Sequence, residues 1–293
     1  MQEGVSTVTK AMASDGGDPT PRRWSRRTLL KSAGIGTIGV VAGSGVAGAE
    51  TYEDRSAERV RGLAASQDRA QRSSVRTLWR ANTTEKVIAL SFDDGPGEPL
   101  TTPLLDLLRD AHVPATFAVV GVRAQRRPDL IRRQLEEGHE LVNHSWSHPD
   151  LSLLGPTAVA REIDRTNALL HKVAGIRPAF VRPPFGRING ALLEHLGATG
   201  QDLLMWHMRF AEERFNATGL ARNVVSDLAP GMIVLAHDYG KARRAIGIAA
   251  VPHIIEGARA KGYRFVTASQ LLALDAPKAG QGRPRRFNSF LSA

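Results

Sequence analysis

Lys86-Val87-Ile88-Ala89-Leu90-Ser91-Phe92-Asp93-Asp94-Gly95-Pro96 decides how the rest of the chain is read. Residues 86–92 form a short, mostly apolar run with β-branched members, the mark of a buried strand. Gly95 and Pro96 stop it. Asp93 and Asp94 are left side by side at the strand's C-terminal end. Two adjacent carboxylates there are costly unless a cation sits beside them or one is protonated. A metal ion is the simplest answer.

Downstream the pattern alternates. Apolar runs at 115–120, 140–144, 179–182, 203–206, 232–236 and 264–266 read as strands. Between them, helical periodicity covers 101–111, 128–137, 156–173, 189–196, 217–228 and 246–260, and 269–274 closes the domain. Strand–helix alternation with short loops means parallel pairing with right-handed crossovers. About seven such units suit a closed or nearly closed barrel, with an open doubly wound sheet as the alternative. Either way, loops at the strands' C-terminal ends gather on one side. Asp93, Asp94, His144, His148, Arg182 and His237 all lie there. Scattered structural polar residues would not share that register.

His144 and His148 stand four residues apart. A helical turn would put both on one face, close enough to bind one ion with an aspartate. Two imidazoles and one carboxylate leave coordination positions open, as in a catalytic site. One aspartate would bind the metal and the other would take a proton from the attacking water. Arg182 can hold that base ionised, and Pro183-Pro184-Phe185-Gly186 makes a rigid turn that aims it and presents a backbone N–H. His237 can protonate a leaving group. Together these read as a metal-assisted hydrolase of an amide or ester.

Composition agrees. The chain has 293 residues, a formal charge of +10 and no cysteine, so any metal must use His, Asp or Glu. The arginines are scattered rather than interleaved with aromatics, which speaks against nucleic acid and for a solvated basic surface. Residues 1–49 read as an export signal. Ser25-Arg26-Arg27-Thr28-Leu29-Leu30-Lys31 resembles the twin-arginine pattern, a weakly hydrophobic small-residue run follows, and Ala47-Gly48-Ala49 is a cleavage pattern. An uncleaved N-terminal anchor is the alternative. Residues 50–84 read as a linker whose end is docked by Trp79, residues 85–275 as the catalytic domain, and 276–293 as a basic tail. A monomer is the default expectation.

Four ordered stretches resemble the polysaccharide deacetylases with a NodB-like domain, carbohydrate esterase family 4. They are Ser91-Phe92-Asp93-Asp94-Gly95-Pro96, His144-x-x-x-His148, Arg182-Pro183-Pro184-Phe185-Gly186 and Leu235-Ala236-His237. The resemblance implies a distorted (β/α) barrel of about seven parallel strands. It implies Asp93 as catalytic base, and Asp94, His144 and His148 as ligands of a divalent metal, usually zinc, sometimes cobalt. Arg182 would orient Asp93, the Phe185 N–H would stabilise an oxyanion, and His237 would be the general acid. The reaction would be N- or O-deacetylation of a glycan such as chitin oligomers, peptidoglycan or xylan.

One motif departs. The family follows the fifth strand with an Asp-Trp pair, whereas Trp206 is followed here by His207-Met208-Arg209-Phe210-Ala211-Glu212-Glu213-Arg214-Phe215. Glu212 falls about where that Asp stands and is the candidate to brace Arg182. Pro184, Phe185, Trp206, Phe210 and Leu235 are the candidate pocket residues, with Phe215 a second choice for the apolar wall. His207 is an extra polar group near the site. The altered segment keeps two other readings open: a catalytically weak glycan-binding protein, and an amidohydrolase of a small non-sugar amide.

Overall fold

The computed structural model describes residues 74–275. The stretches read as an export signal and a basic tail, and most of the one read as a linker, lie outside the described residues. Within them the chain runs through Thr77–Leu78 (β1), Val87–Asp93 (β2), Thr101–Asp110 (α1), Thr116–Val119 (β3), Gly121–Arg126 (α2), Pro128–Glu136 (α3) and Glu140–Asn143 (β4). It continues through Pro156–Ala174 (α4), Phe180–Val181 (β5), Gly190–Thr199 (α5), Asp202–Leu204 (β6) and Met208–Arg209 (β7). Ala217–Ser226 (α6), Met232–His237 (β8), Arg244–Ala260 (α7), Arg264–Phe265 (β9) and Ala268–Ala273 (α8) complete it.

The strands form one sheet in the order β1-β6-β5-β4-β3-β2-β8-β7, with β9 added beside the start of β2, and every pair is parallel. The sheet curls back on itself through one stretch of chain. β6 pairs with β5, and three residues later β7 pairs with β8, with a hydrogen bond from His207 N to Ile233 O between them. This is the distorted (β/α) barrel expected. Nine strands replace about seven because β1 and β7 have two residues each, too short to carry a hydrophobic period. Trp79 does not dock the linker. It is 49% exposed, while Leu78 and Ala81 are buried and β1 lies in the sheet beside β6.

Alternation along each strand separates two faces. Ile88, Leu90 and Phe92 of β2 point outward into the main core with α1 and α7, where Phe92 stacks on Phe117 with ring centroids 5.4 Å apart. The opposite face belongs to a smaller apolar layer built from Ala89, Ala118, Val142, Phe180, Leu204 and Ile233. Two residues further along the same strands the period predicts the same inward face. Those positions are Ser91 and then Asp93, Val120, His144, Arg182, Trp206, and Leu235 followed by His237. An apolar floor at one level and polar groups at the next is how the barrel makes a site at the C-terminal ends of its strands.

Candidate active site

Asp93 is the last residue of β2 and pairs in register with His237, the last residue of β8. Asp93 is 4% exposed and Arg182, at the end of β5, is 0% exposed. Their contact is 2.5 Å, from Arg182 Nη1 to Asp93 Oδ1. Nη1 also donates to Ser91 Oγ, Nε to Leu204 O and Nη2 to Met205 O, so the guanidinium is held from β2 and from the end of β6. A buried charge of this kind is tolerable only when paired and hydrogen-bonded.

Asp94 leaves the strand with φ 78°, in the left-handed region that Asp tolerates better than most residues. This turns its carboxylate toward two imidazoles. Oδ1 lies 3.0 Å from His148 Nε2 and 3.7 Å from His144 Nε2. The three ligand atoms all fall within 4.8 Å of one another. His144 Nδ1 donates to Arg182 O at 2.6 Å, which fixes the ring and leaves Nε2 as the free ligand. One carboxylate oxygen and two imidazole nitrogens on one point fit a divalent ion with open positions. Burial pushes the Asp94 carboxyl up, but the hydrogen bonds of His144 and His148 outweigh it and hold the group well below the usual carboxylate range. Burial pushes His144 down, and the charges of Asp93 and Asp94 outweigh it and raise it. The negative centre that favours an imidazolium favours a metal cation for the same reason.

The two histidines do not share a helical turn. Residues 144–148 are an irregular loop in which Ser145 and His148 both take positive φ, each 64°. Side chains and α4 hold that loop. Ser145 N donates to Asn143 Oδ1 and His148 N to Ser145 Oγ, while Glu162 of α4 accepts from Trp146 N and Ser147 N. Four-residue spacing was therefore informative for a different reason than helix geometry.

Phe185 sits in the Pro184–Gly186 turn at φ 60°; the residue is 61% exposed and its ring centroid is 4.9 Å from that of His148. The turn's hydrogen bonds run from Gly186 N to Pro183 O and from Arg187 N to Pro184 O, so neither consumes the Phe185 N–H. Gly186 is needed twice over: its φ is 68°, and a Cβ there would lie 2.8 Å from the Trp206 ring. The buried Nδ1 of His237 has no hydrogen-bond partner among the described residues. Burial lowers its pKa, and Arg244 lowers it further against Asp93, Asp94 and Glu212.

A cavity of about 220 Å³ opens onto these groups, lined by Asp93, Asp94, His144, His148, Phe185 and Trp206, and on the far side by Arg209, Leu235, His237 and Arg244. Three expectations fail here. Glu212 does not brace Arg182, whose hydrogen bonds go to Asp93, Ser91 and the carbonyls of Leu204 and Met205. Glu212 is buried under α7 and pairs with Arg244, at 3.1 Å from Nη1 to Oε2. Phe210 is not a pocket residue: it is 1% exposed in the main core, its backbone tied to Leu235 O. Pro184 is buried in its turn and does not line the cavity. His207 is exposed and Phe215 packs on the main core, so neither reaches the site.

Sequence reasoning missed Arg209 and Arg244 in the wall, and also Asp238. Asp238 is buried and accepts from Gly95 N at 2.9 Å and from Thr101 Oγ1 at 2.7 Å, which ties the loop after Asp94 to β8. Burial pushes its carboxyl up to about 7. Its place directly after His237 was the available signal.

A parallel barrel with an arginine-paired carboxylate, three residues able to hold a metal ion and an imidazole at one mouth has the arrangement of a hydrolase. The chain belongs to the polysaccharide deacetylase family, whose model matches residues 80–204. A peptidoglycan-N-acetylglucosamine deacetylase of Bacillus cereus is 35% identical over 197 residues, covering 66% of this chain and 92% of that protein. The peptidoglycan-N-acetylmuramic acid deacetylase PdaC of Bacillus subtilis is 36% identical over 188 residues, or 64% of this chain, which spans only 39% of PdaC's length. The solved family 4 acetyl xylan esterase of Clostridium thermocellum, in complex with a cobalt ion, superposes with a TM-score of 0.59 at 34% identity, over 64% of this chain and 91% of that one.

Proposed function

We propose that the protein is an exported, divalent-metal-dependent deacetylase that hydrolyses an N- or O-acetyl group from a carbohydrate of the cell wall or a related glycan. The observation that carries this reading is the separation of the two carboxylates: Asp94 joins His144 and His148, while Asp93 is gripped by Arg182 alongside them. Asp94, His144 and His148 would hold the ion, zinc being the first choice and cobalt the other supported by a solved relative. When bound, the ion would supply positive charge that acidifies a water and polarises the acetyl carbonyl.

The protein's own groups supply the rest. Arg182 donates to Asp93 Oδ1 and fixes the carboxylate, so Oδ2 is left to accept the proton of the attacking water. The Phe185 N–H donates to the oxygen that gains charge as the tetrahedral centre forms. His237, on the strand beside Asp93, passes a proton to the departing amine or alcohol. Phe185, Trp206 and Leu235 give the acetyl methyl an apolar wall, so the altered segment after Trp206 does not leave the pocket bare. The reading is tested by acetate release from chito-oligosaccharides, peptidoglycan and acetylxylan with zinc present. Release from at least one supports it; no release from any of them, with metal bound, would sink it.

Export by the twin-arginine route is the second part of the proposal, with a secreted or envelope-associated mature protein beginning near Glu50. It rests on Arg26-Arg27 and the run to Ala49. No helix among the described residues is long and apolar enough to cross a membrane. Replacing Arg26 and Arg27 together by lysine should leave the precursor inside the cell in a fractionation assay. Unchanged export of that double variant would refute the route.

A further inference from the structure

The cavity has a cationic wall that hydrolysis of a neutral acetylated sugar does not require. Arg244 and Arg209 line it on the side of His237, and Lys241 and Arg243 are exposed on the adjoining turn. Acidic groups neutralise this wall only in part. Glu213 accepts from Arg209 Nη2 at 2.8 Å, and Arg209 Nη1 donates to the carbonyl of Phe210. Glu212 accepts from Arg244 through Nη1 alone, at 3.3 and 3.1 Å. The Arg244 Nε and Nη2 groups make no hydrogen bond among the described residues. Those two N–H groups form one edge of the guanidinium fork, and an edge of that fork matches a carboxylate bidentately.

The fold takes trouble to place this arginine. The Glu212 carboxylate is 1% exposed, and Gly247, one turn along α7 from Arg244, leaves it room: a Cβ at 247 would stand 3.1 Å from Glu212 Oε1. A buried carboxylate therefore anchors one side of Arg244, while the side chain, 24% exposed, lines the cavity. At about 220 Å³ the cavity is smaller than the usual site for a drug-sized ligand. Whatever meets Arg244 is then a substituent of the same sugar whose acetyl group faces the metal ligands.

From these contacts we infer that Arg244, supported by Glu212 and with Arg209 beside it, is a carboxylate-recognising subsite, and that the preferred substrate is an N-acetylated amino sugar bearing its own carboxylate, as the lactyl ether of N-acetylmuramate does. The inference rests on the deacetylase reading and names its substrate class.

The test uses the full chain loaded with zinc and three substrates: a glycan strand of alternating N-acetylglucosamine and N-acetylmuramate, the same strand with its lactyl carboxylates converted to carboxamides, and chitotetraose. Acetate release gives kcat/KM, and mass spectrometry locates the lost acetyl group. The acetyl group should leave from the lactyl-bearing sugar. The carboxylate strand should be preferred over the carboxamide strand by ~10-fold, the scale of one charge-assisted fork. That ratio should fall toward one in the double variant Arg244→Met, Glu212→Leu, which removes both charges so that neither is left buried alone. Equal kcat/KM on the two strands, a ratio that survives the double variant, or loss of acetyl only from the plain sugar would each overturn the subsite while leaving the deacetylase standing. No acetate from any of the three would overturn the subsite, and no acetate from acetylxylan either would overturn both. The comparison of the two strands with the unaltered protein decides the matter even where the variant fails to fold.

Discussion

Asp93→Asn is expected to lower kcat for acetate release by about 10²- to 10⁴-fold, the usual contribution of a positioned general base. Asn keeps the shape and can still accept from Arg182, so the fold should persist. It cannot take a proton from the attacking water. Zinc binding should be retained, because the ligand cluster is Asp94, His144 and His148 and does not include Asp93. Two measurements check this together: single-turnover acetate release, and zinc stoichiometry by titration. A rate within a few-fold of the unaltered protein removes Asp93 from the role of base. Loss of zinc together with activity would instead make Asp93 a ligand, and the division of labour between the two carboxylates would be wrong.

Arg182→Met should cost both stability and turnover. The side chain is fully buried and holds Asp93, Ser91 and the carbonyls of Leu204 and Met205. Removing it leaves Asp93 as a buried carboxylate without its cation, a change that costs about 3–5 kcal/mol in buried pairs. The carboxylate also loses the group that aims it, so turnover should fall even in molecules that fold. Urea unfolding of Arg182→Met, Asp93→Asn and the double variant checks the assignment. The double variant should be less destabilised than the sum of the two single changes, because no lone charge is left behind. Strict additivity would mean that the Arg182–Asp93 contact carries no coupling.

The site's chemistry was legible because it rides on strand periodicity. A buried strand ending in two acids, a pair of histidines after another and a lone histidine after a third could share only one place, the C-terminal mouth of a parallel barrel. The roles of Asp93 and Asp94 then follow from one backbone angle, the positive φ of Asp94, which no propensity signals. The loop that joins His144 to His148 was misread as a helical turn because its shape is set by Glu162, far along the chain on α4. Glu212 was misplaced for a related reason. Its partner Arg244 lies beyond α6 and β8, on α7, where Gly247 leaves the carboxylate uncrowded. Short strands such as β1 and β7 are defined by pairing rather than by pattern, so the ends of the sheet were invisible until their neighbours were in place.

The central claim is that Asp94, His144 and His148 hold a divalent ion on which deacetylation depends. It is tested most directly by stripping the protein with a chelator and measuring acetate release as zinc is added back, with bound zinc counted in the same samples. The stripped protein should release none above background, and activity should rise in step with zinc and saturate at one ion per chain. Full activity in the stripped protein, or one bound zinc with no acetate released from any acetylated glycan, would contradict the account.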